Sequence, residues 1–198
     1  MHLSRVWIGV AVVLVALDTA MTAGVLAQEV AVVPYGVRNA AAPAELDAFS
    51  FLVGKWKGVA KVRLENGAYA ENELIWIGRY VLDGLAILDE GYTVRPGGAT
   101  TLDGYSIRSF DPRSRSWTIE FVNVARSFVR RQVNQRTGSV QLDGASVVIS
   151  ADDGTTMIRE YYDVFGTDSF VYRMDLSRDG GKSWDAGLYE ITMTRVDE

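Results

Sequence analysis

Phe170-Val171-Tyr172-Arg173-Met174-Asp175-Leu176, a turn at Asp179-Gly180-Gly181, and then Tyr189-Glu190-Ile191-Thr192-Met193-Thr194 are the stretches that decide the fold. In both runs a large apolar side chain falls on every second residue. Phe170, Tyr172, Met174 and Leu176 alternate with Val171, Arg173 and Asp175, and Tyr189, Ile191 and Met193 alternate with Glu190, Thr192 and Thr194. Successive side chains of a strand point to opposite faces, so period two with one apolar face reads as two half-buried strands. Asp-Gly and Asn-Gly pairs supply the positive φ angles of tight hairpin turns, so the two strands run antiparallel.

Working outward, the same grammar fills the chain upstream. Turn pairs stand at Asn66-Gly67, Asp83-Gly84, Pro96-Gly97-Gly98, Asp111-Pro112, Thr137-Gly138, Asp143-Gly144, Asp153-Gly154 and Gly166-Thr167. Between them lie candidate strands near 55–64, 70–82, 86–94, 101–110, 116–124, 127–136, 139–142, 146–151, 156–164, 169–177 and 184–196. About ten short strands joined by hairpins make an antiparallel meander. A meander of that length leaves two bare edges unless it closes on itself, so the expected fold is all-β, an up-and-down barrel, with an open β-sandwich as the alternative. One short helix precedes the strands. Pro43 suits its first turn, Glu45 and Asp47 its positive end, and Gly54 its stop. Leu46, Phe49 and Val53 would share a face and plug something larger.

The amino terminus reads differently. Arg5 precedes an apolar run from Val6 to Leu17 that Asp18 breaks. Twelve helical residues rise about 18 Å, short of a hydrocarbon core of roughly 30 Å. Val25-Leu26-Ala27 places acceptable side chains before Gln28, so residues 1–27 are expected to be a cleaved export signal. The expected product is periplasmic or secreted, with no stable membrane span after cleavage. Residues 28–43 form an N-terminal arm and residues 44–198 the barrel domain, enough chain to bury about 70% of its unfolded surface.

Composition excludes several chemistries. The 198 residues are 48% apolar and 23% charged with four prolines, a globular balance rather than a disordered one. Net charge is −5 without a basic block, which argues against nucleic acid as a partner. There is no cysteine, and the single histidine, His2, falls in the leader. Ser-His-Asp catalysis, Cys-His catalysis and structural zinc therefore have no residues to use in the mature chain.

The alternation also nominates an interior. Trp56, Val62 and Leu64 share a face in the first strand, with Gly58 and Ala60 leaving room; Leu74, Trp76, Tyr80 and Leu82 do so in the second. Tyr105 and Ile107, and then Trp117, Ile119 and Phe121, follow. Two strands carry a carboxylate on the apolar face. Glu90 falls in phase with Leu88, Tyr92 and Val94, and Glu160 with Ile158, Tyr162 and Val164. A buried carboxylate is costly unless paired, hydrogen-bonded or protonated, so both are candidates to face a ligand, although a register slip of one residue would put them in solvent. Arg130, in the strand without a clear apolar face, is a candidate counter-charge.

Phe51-Leu52-Val53-Gly54-Lys55-Trp56, a helix running into Gly-x-Trp at the first strand, resembles the opening of lipocalin-type (calycin) barrels. Gly104-Tyr105, Asp111-Pro112 and Trp117 through Asn123, and then Asp168-Ser169-Phe170 and Ser177 through Trp184, resemble a bacterial group of lipocalin-like domains related in shape to nitrobindins. The likeness spans most of residues 44–196. It implies a ten-stranded barrel with an internal pocket for a small apolar molecule. It does not carry over haem, because nitrobindin-like haem binding uses a histidine and the mature chain has none; no cofactor is expected.

Three further motifs have local readings. Ser177-x-Asp179-Gly180-Gly181-Lys182-Ser183-Trp184 matches the Asp-box hairpin of sialidases, and a single copy is a turn stabiliser. Asp152-Asp153-Gly154-Thr155 starts like a calcium loop but lacks the remaining ligands, so a hairpin turn is expected. Arg126, Arg130, Arg131 and Arg136 make a locally basic strand, read as a solvated face or a partner for nearby acids.

The expected function is an exported barrel binding a small hydrophobic or aromatic molecule. Trp76, Tyr92, Tyr105, Trp117, Tyr162 and Tyr172 would line the cavity, Glu90 and Glu160 would fix orientation, and Arg130 would balance them. One alternative is a cofactor-free isomerase, lyase or cyclase with Glu90 as base and Glu160 or Tyr162 as acid. Another is an envelope structural or partner-binding module using an edge strand or the 28–43 arm.

Overall fold

The computed structural model describes residues 36–124, 132–138, 140–143, 146–152 and 156–197, with backbone alone between 132 and 152. The leader, residues 28–35 of the arm, Arg126, Arg130, Arg131 and positions 153–155 lie outside the described residues. So does the side chain of Arg136.

Turn chemistry and period-two patterning place the strands where they were expected. They are β1 (Gly54–Arg63), β2 (Tyr69–Val81), β3 (Ala86–Val94), β4 (Thr100–Asp111), β5 (Ser116–Asn123), β6 (Gln132–Gly138), β7 (Val140–Asp143), β8 (Ser146–Asp152), β9 (Met157–Phe165), β10 (Ser169–Ser177) and β11 (Asp185–Val196). All of them belong to one sheet in the order β6-β5-β4-β3-β2-β1-β11-β10-β9-β8-β7. Every ladder is antiparallel and joins sequence neighbours, except that β1 pairs with β11. The two ends of that order, β6 and β7, are separated by position 139 alone. The stretch 132–143 thus pairs with β5 through its first part and with β8 through its last, and β6 also comes within 8 Å of β8. One continuous sheet curled on itself is an up-and-down barrel and not a sandwich of two sheets.

The short helix at Ala44–Leu52 plugs one end. Glu45 and Asp47 occupy its first turn, after Pro43. It is a 3₁₀ helix, so the buried residues are Leu46, Phe49 and Leu52, spaced by three. The expected third member, Val53, belongs to an α-helical pitch that the chain does not adopt. The plug lies very close to the sheet at Gly78, where a Cβ would overlap the Leu52 carbonyl oxygen. Trp56 Nε1 donates to that same carbonyl at 3.0 Å, and the Arg195 guanidinium lies 4.1 Å over the Trp56 ring while donating to the carbonyls of Val53 and Thr167. The described part of the arm folds back on the β2–β3 hairpin: Gly36 N–H donates to Tyr80 O and Asn39 N–H to Gly84 O.

Two residues of the expected inner set fall at strand ends and not in the wall. Leu64 and Leu82 are exposed at strand ends, where the chain turns away from the wall. At the opposite end from the plug, the Ser177–Trp184 turn behaves as a local hydrogen-bond cage. Asp179 Oδ1 accepts from the Ser177 hydroxyl and the Ser183 amide at 2.8 and 2.9 Å, and Asp179 Oδ2 accepts from the Ser183 hydroxyl at 2.6 Å. Gly180 and Gly181 supply the positive φ angles, 68° and 83°. Trp184 Nε1 donates to Gly181 O, and Arg159 stacks 3.6 Å from the Trp184 ring centroid. The Ser183 hydroxyl above all, followed by the Ser183 amide and the Ser177 hydroxyl, holds the Asp179 carboxyl down to about 2. A carboxyl depressed in the fold contributes stability above its unfolded pKa and loses it as pH falls through the folded value. Asp179→Asn is therefore expected to lose stability near neutral pH, and to differ less from wild type as a urea series descends from pH 4 toward pH 2. A constant difference across that window would sink this assignment.

Candidate functional site

A cavity of about 550 Å³ occupies the barrel between the plug and the far mouth. Val62, Leu74, Trp76, Met174, Leu188 and Ile191, from β1, β2, β10 and β11, give it an apolar wall. Among them stand the polar side chains Asp89, Ser106, Arg108, Glu160, Tyr162 and Tyr172, from β3, β4, β9 and β10. The helix seals the end near Trp56 and Trp117, so the cavity runs toward the mouth, where Arg63, Asp103, Asn123 and Tyr189 border it.

The polar groups form two connected pairs. Arg108, 2% exposed, is ion-paired with Asp89 on the neighbouring strand and donates from Nη2 to the Tyr162 hydroxyl at 3.0 Å. Its guanidinium also lies 5.2 Å from the centroid of the Phe49 ring, tying the cavity to the plug. Glu160, 4% exposed, accepts from the Tyr172 hydroxyl at 2.8 Å. The Tyr162 and Tyr172 rings lie 5.1 Å apart, so the two pairs meet. At the mouth, burial first and the Asp103 carboxylate second push the Tyr189 phenol up to about 12, leaving it a protonated donor through the neutral range. Asp103 itself accepts from the Thr93 hydroxyl at 2.5 Å.

Of the residues expected to face a ligand, the structure brings Trp76, Tyr105, Glu160, Tyr162 and Tyr172 to the cavity. Tyr105 borders it from a position in phase with Glu90 and Val122, its cross-strand partners, whereas the buried residues of β4 are Gly104, Ser106 and Arg108. The inward reading of Tyr105 and Ile107 is thus out by one residue. Trp117 points inward but lies beneath the plug, 4.9 Å from Phe49 and 5.4 Å from Phe110. Arg130 lies outside the described residues.

Glu90 and Tyr92 require correction. Ala86, Ile87 and Asp89 are the buried members of β3. Beyond Ala86 at the strand start, Asp89 takes the inner side with its buried partner Arg108, so Leu88 and Glu90 face the outer wall, and Tyr92, across from Ile75, follows them. There Glu90 is ion-paired with Arg79, and Tyr92 has its phenol pKa raised by burial first and the Glu90 charge next. The alternation was real but assigned to the wrong side. The outer wall here carries half-buried Ile77, Leu88, Tyr92 and Ile107, while the inner wall carries the paired charges Asp89 and Arg108. Pairing lets charges occupy the apolar side and so inverts the hydropathy signal. With Glu90 outside, an acid–base couple of Glu90 and Glu160 across one cavity does not exist. The residues missed were Asp89, Ser106 and Arg108. Their signal was a charge on each of two adjacent strands at cross-strand distance, in phase with Ile87 and Phe110.

No family model matches the chain, and no curated protein sequence does. Solved structures do. The S-type phycobiliprotein lyase CPES from Guillardia theta superposes with a TM-score of 0.51 at 12% identity, covering 77% of this chain and 92% of that one. Rv2717c from M. tuberculosis gives a TM-score of 0.48 at 13% identity, covering 79% and 99%. At these identities the likeness is one of fold: the chain is an all-β, lipocalin-like antiparallel barrel with a short helix at one end.

Proposed function

We propose that this chain is an exported, periplasmic or secreted barrel that binds a small hydrophobic or aromatic molecule in its lumen. The observation that carries this reading is the 550 Å³ cavity, lined largely by apolar side chains with a few placed polar groups among them. That size and that mixture are those of small-molecule sites, in which apolar area supplies affinity and sparse polar groups fix orientation. Export rests on the leader pattern of residues 1–27.

Trp76 lines the cavity wall, so its fluorescence is the direct readout. N-phenyl-1-naphthylamine, a neutral apolar probe, is expected to quench tryptophan emission saturably at 1:1 stoichiometry, and Trp76→Phe to remove most of that quenching. Native mass spectrometry after gentle purification is expected to show retained small-molecule mass. No quenching together with no retained mass would remove the reading.

The buried Tyr172–Glu160 pair favours a second reading, a cofactor-free lyase or isomerase. A carboxylate and a phenol in hydrogen-bond contact inside a cavity are suited to moving a proton at a bound carbon acid. Here Glu160 alone serves as base, with Tyr172 or Tyr162 as donor. This reading requires Glu160→Gln to abolish turnover while leaving probe binding intact.

A further inference from the structure

The inner wall has a bare patch where the cavity is deepest in glycine. Gly91 on β3 pairs with Trp76 on β2 and with Gly104 on β4, so two glycines stand side by side next to an indole. Gly104 is required by packing, because a Cβ there would overlap the Val122 carbonyl oxygen. Gly91 is not: a Cβ on it would meet nothing within 4 Å, and its φ lies outside the left-handed region. A glycine inside a strand weakens it and marks a bulge, a bend or a close approach of a ligand or another backbone. A bulge does follow Gly91, where the β3–β4 register shifts at Tyr92, but it does not itself fill the space above the glycine. No backbone approaches this one; the open space is the cavity.

Next to the patch stands Ser106, two residues beyond Gly104 and directly across from Asp89. It is 9% exposed and lines the cavity, so its hydroxyl is placed to meet a ligand atom. The neighbouring charges decide which atom. Arg108 is engaged by Asp89 and by the Tyr162 hydroxyl, and Arg63 by Asp185. A carboxylate ligand would find both described guanidiniums of the lining already engaged, whereas a neutral oxygen needs neither.

We infer that the cavity is built for a neutral, planar conjugated molecule ending in a hydroxyl or carbonyl oxygen. Its ring lies flat on Gly91 beside Trp76, and its oxygen bonds the Ser106 hydroxyl. This rests on the small-molecule reading above and specifies its ligand class. Gly91 sets the specificity for flat molecules, since any side chain there would fill the volume a ring needs.

The test compares 2-naphthol, 2-naphthoate and 1-decanol, by tryptophan quenching and calorimetry, with N-phenyl-1-naphthylamine as the cavity control. Wild type is expected to bind 2-naphthol at least tenfold more tightly than 2-naphthoate or 1-decanol. Gly91→Leu is expected to weaken 2-naphthol binding at least tenfold while keeping the wild-type circular dichroism and melting temperature, because its Cβ enters open space. Ser106→Ala is expected to weaken 2-naphthol about fivefold, the loss of one neutral hydrogen bond. Equal binding of naphthoate or decanol, or a Gly91→Leu variant that binds 2-naphthol like wild type, overturns this inference and leaves the cavity reading standing. Failure of every probe, the control included, removes both. Should Gly91→Leu fold poorly, Gly91→Ala, one carbon larger, is expected to show a smaller loss in the same direction; no loss at all would be equally fatal.

Discussion

Arg108→Ala is expected to lower the unfolding free energy by about 3–5 kcal/mol, with the urea midpoint falling accordingly. The cause is Asp89 and not lost attraction as such. Asp89 is 3% exposed, and without the guanidinium its charge would remain in the wall with no compensating partner. The Tyr162 hydroxyl would lose the hydrogen bond from Arg108 at the same time. The double variant Asp89→Asn with Arg108→Met removes both charges and restores an apolar filling, so it is expected to recover most of the loss. Equilibrium unfolding of the wild type, Asp89→Asn, Arg108→Met and the double closes the cycle. A double variant as unstable as Arg108→Ala would show that the residues act separately.

The second large effect is at the plug. Phe49 is fully buried and meets Trp117 at 4.9 Å and Tyr162 at 6.0 Å, both edge-on, with the Arg108 guanidinium over its face. Phe49→Ala would empty that volume where three elements converge, and Leu46 and Leu52 are held on the same helix face with little room to collapse into it. About 3–5 kcal/mol is expected, together with a loss of near-ultraviolet dichroism from Trp117. Because the phenyl ring also caps the cavity at Arg108 and Tyr162, N-phenyl-1-naphthylamine is expected to bind more weakly and exchange faster. A cost below about 1 kcal/mol would mean that the helix rests on the barrel without being part of its core.

How far the molecule could be read from its residues depended on whether one face of a strand was clearly drier than the other. In β10 and β11 it was: Phe170, Tyr172, Ile191 and Met193 are buried, and Glu160 and Tyr162 follow in β9. Turn pairs placed the hairpins, and with them the barrel. In β3 and β4 the signal failed because the outer wall is partly apolar and the inner wall carries a neutralised ion pair, so Glu90 and Tyr105 were given the places of Asp89 and Ser106. In β6 there was little to read. Gln132, Asn134 and Gln135 lack an apolar phase; the described strand, Gln132–Gly138, runs past the expected end at 136, and 127–131 lie outside the described residues. The plug was legible as an element, while its 3₁₀ pitch, which exchanges Val53 for Leu52, was not. Gly91 looked like an ordinary strand residue because its use shows only once its neighbours Trp76 and Gly104 are placed beside it.

β11 lies between β1 and β10. This gives the chain's last ladder a timing that its hairpins lack. A ribosome delivers β1 (Gly54–Arg63) long before its second partner, β11 (Asp185–Val196). Until β11 emerges, one flank of β1 stays a bare row of amides and carbonyls, open to the wrong neighbour. A chain delivered across a membrane in extended form would not have to undo a finished ring, and an early stop codon just before Asp185 would leave β1 and β10 each with a sticky border that β11 otherwise covers.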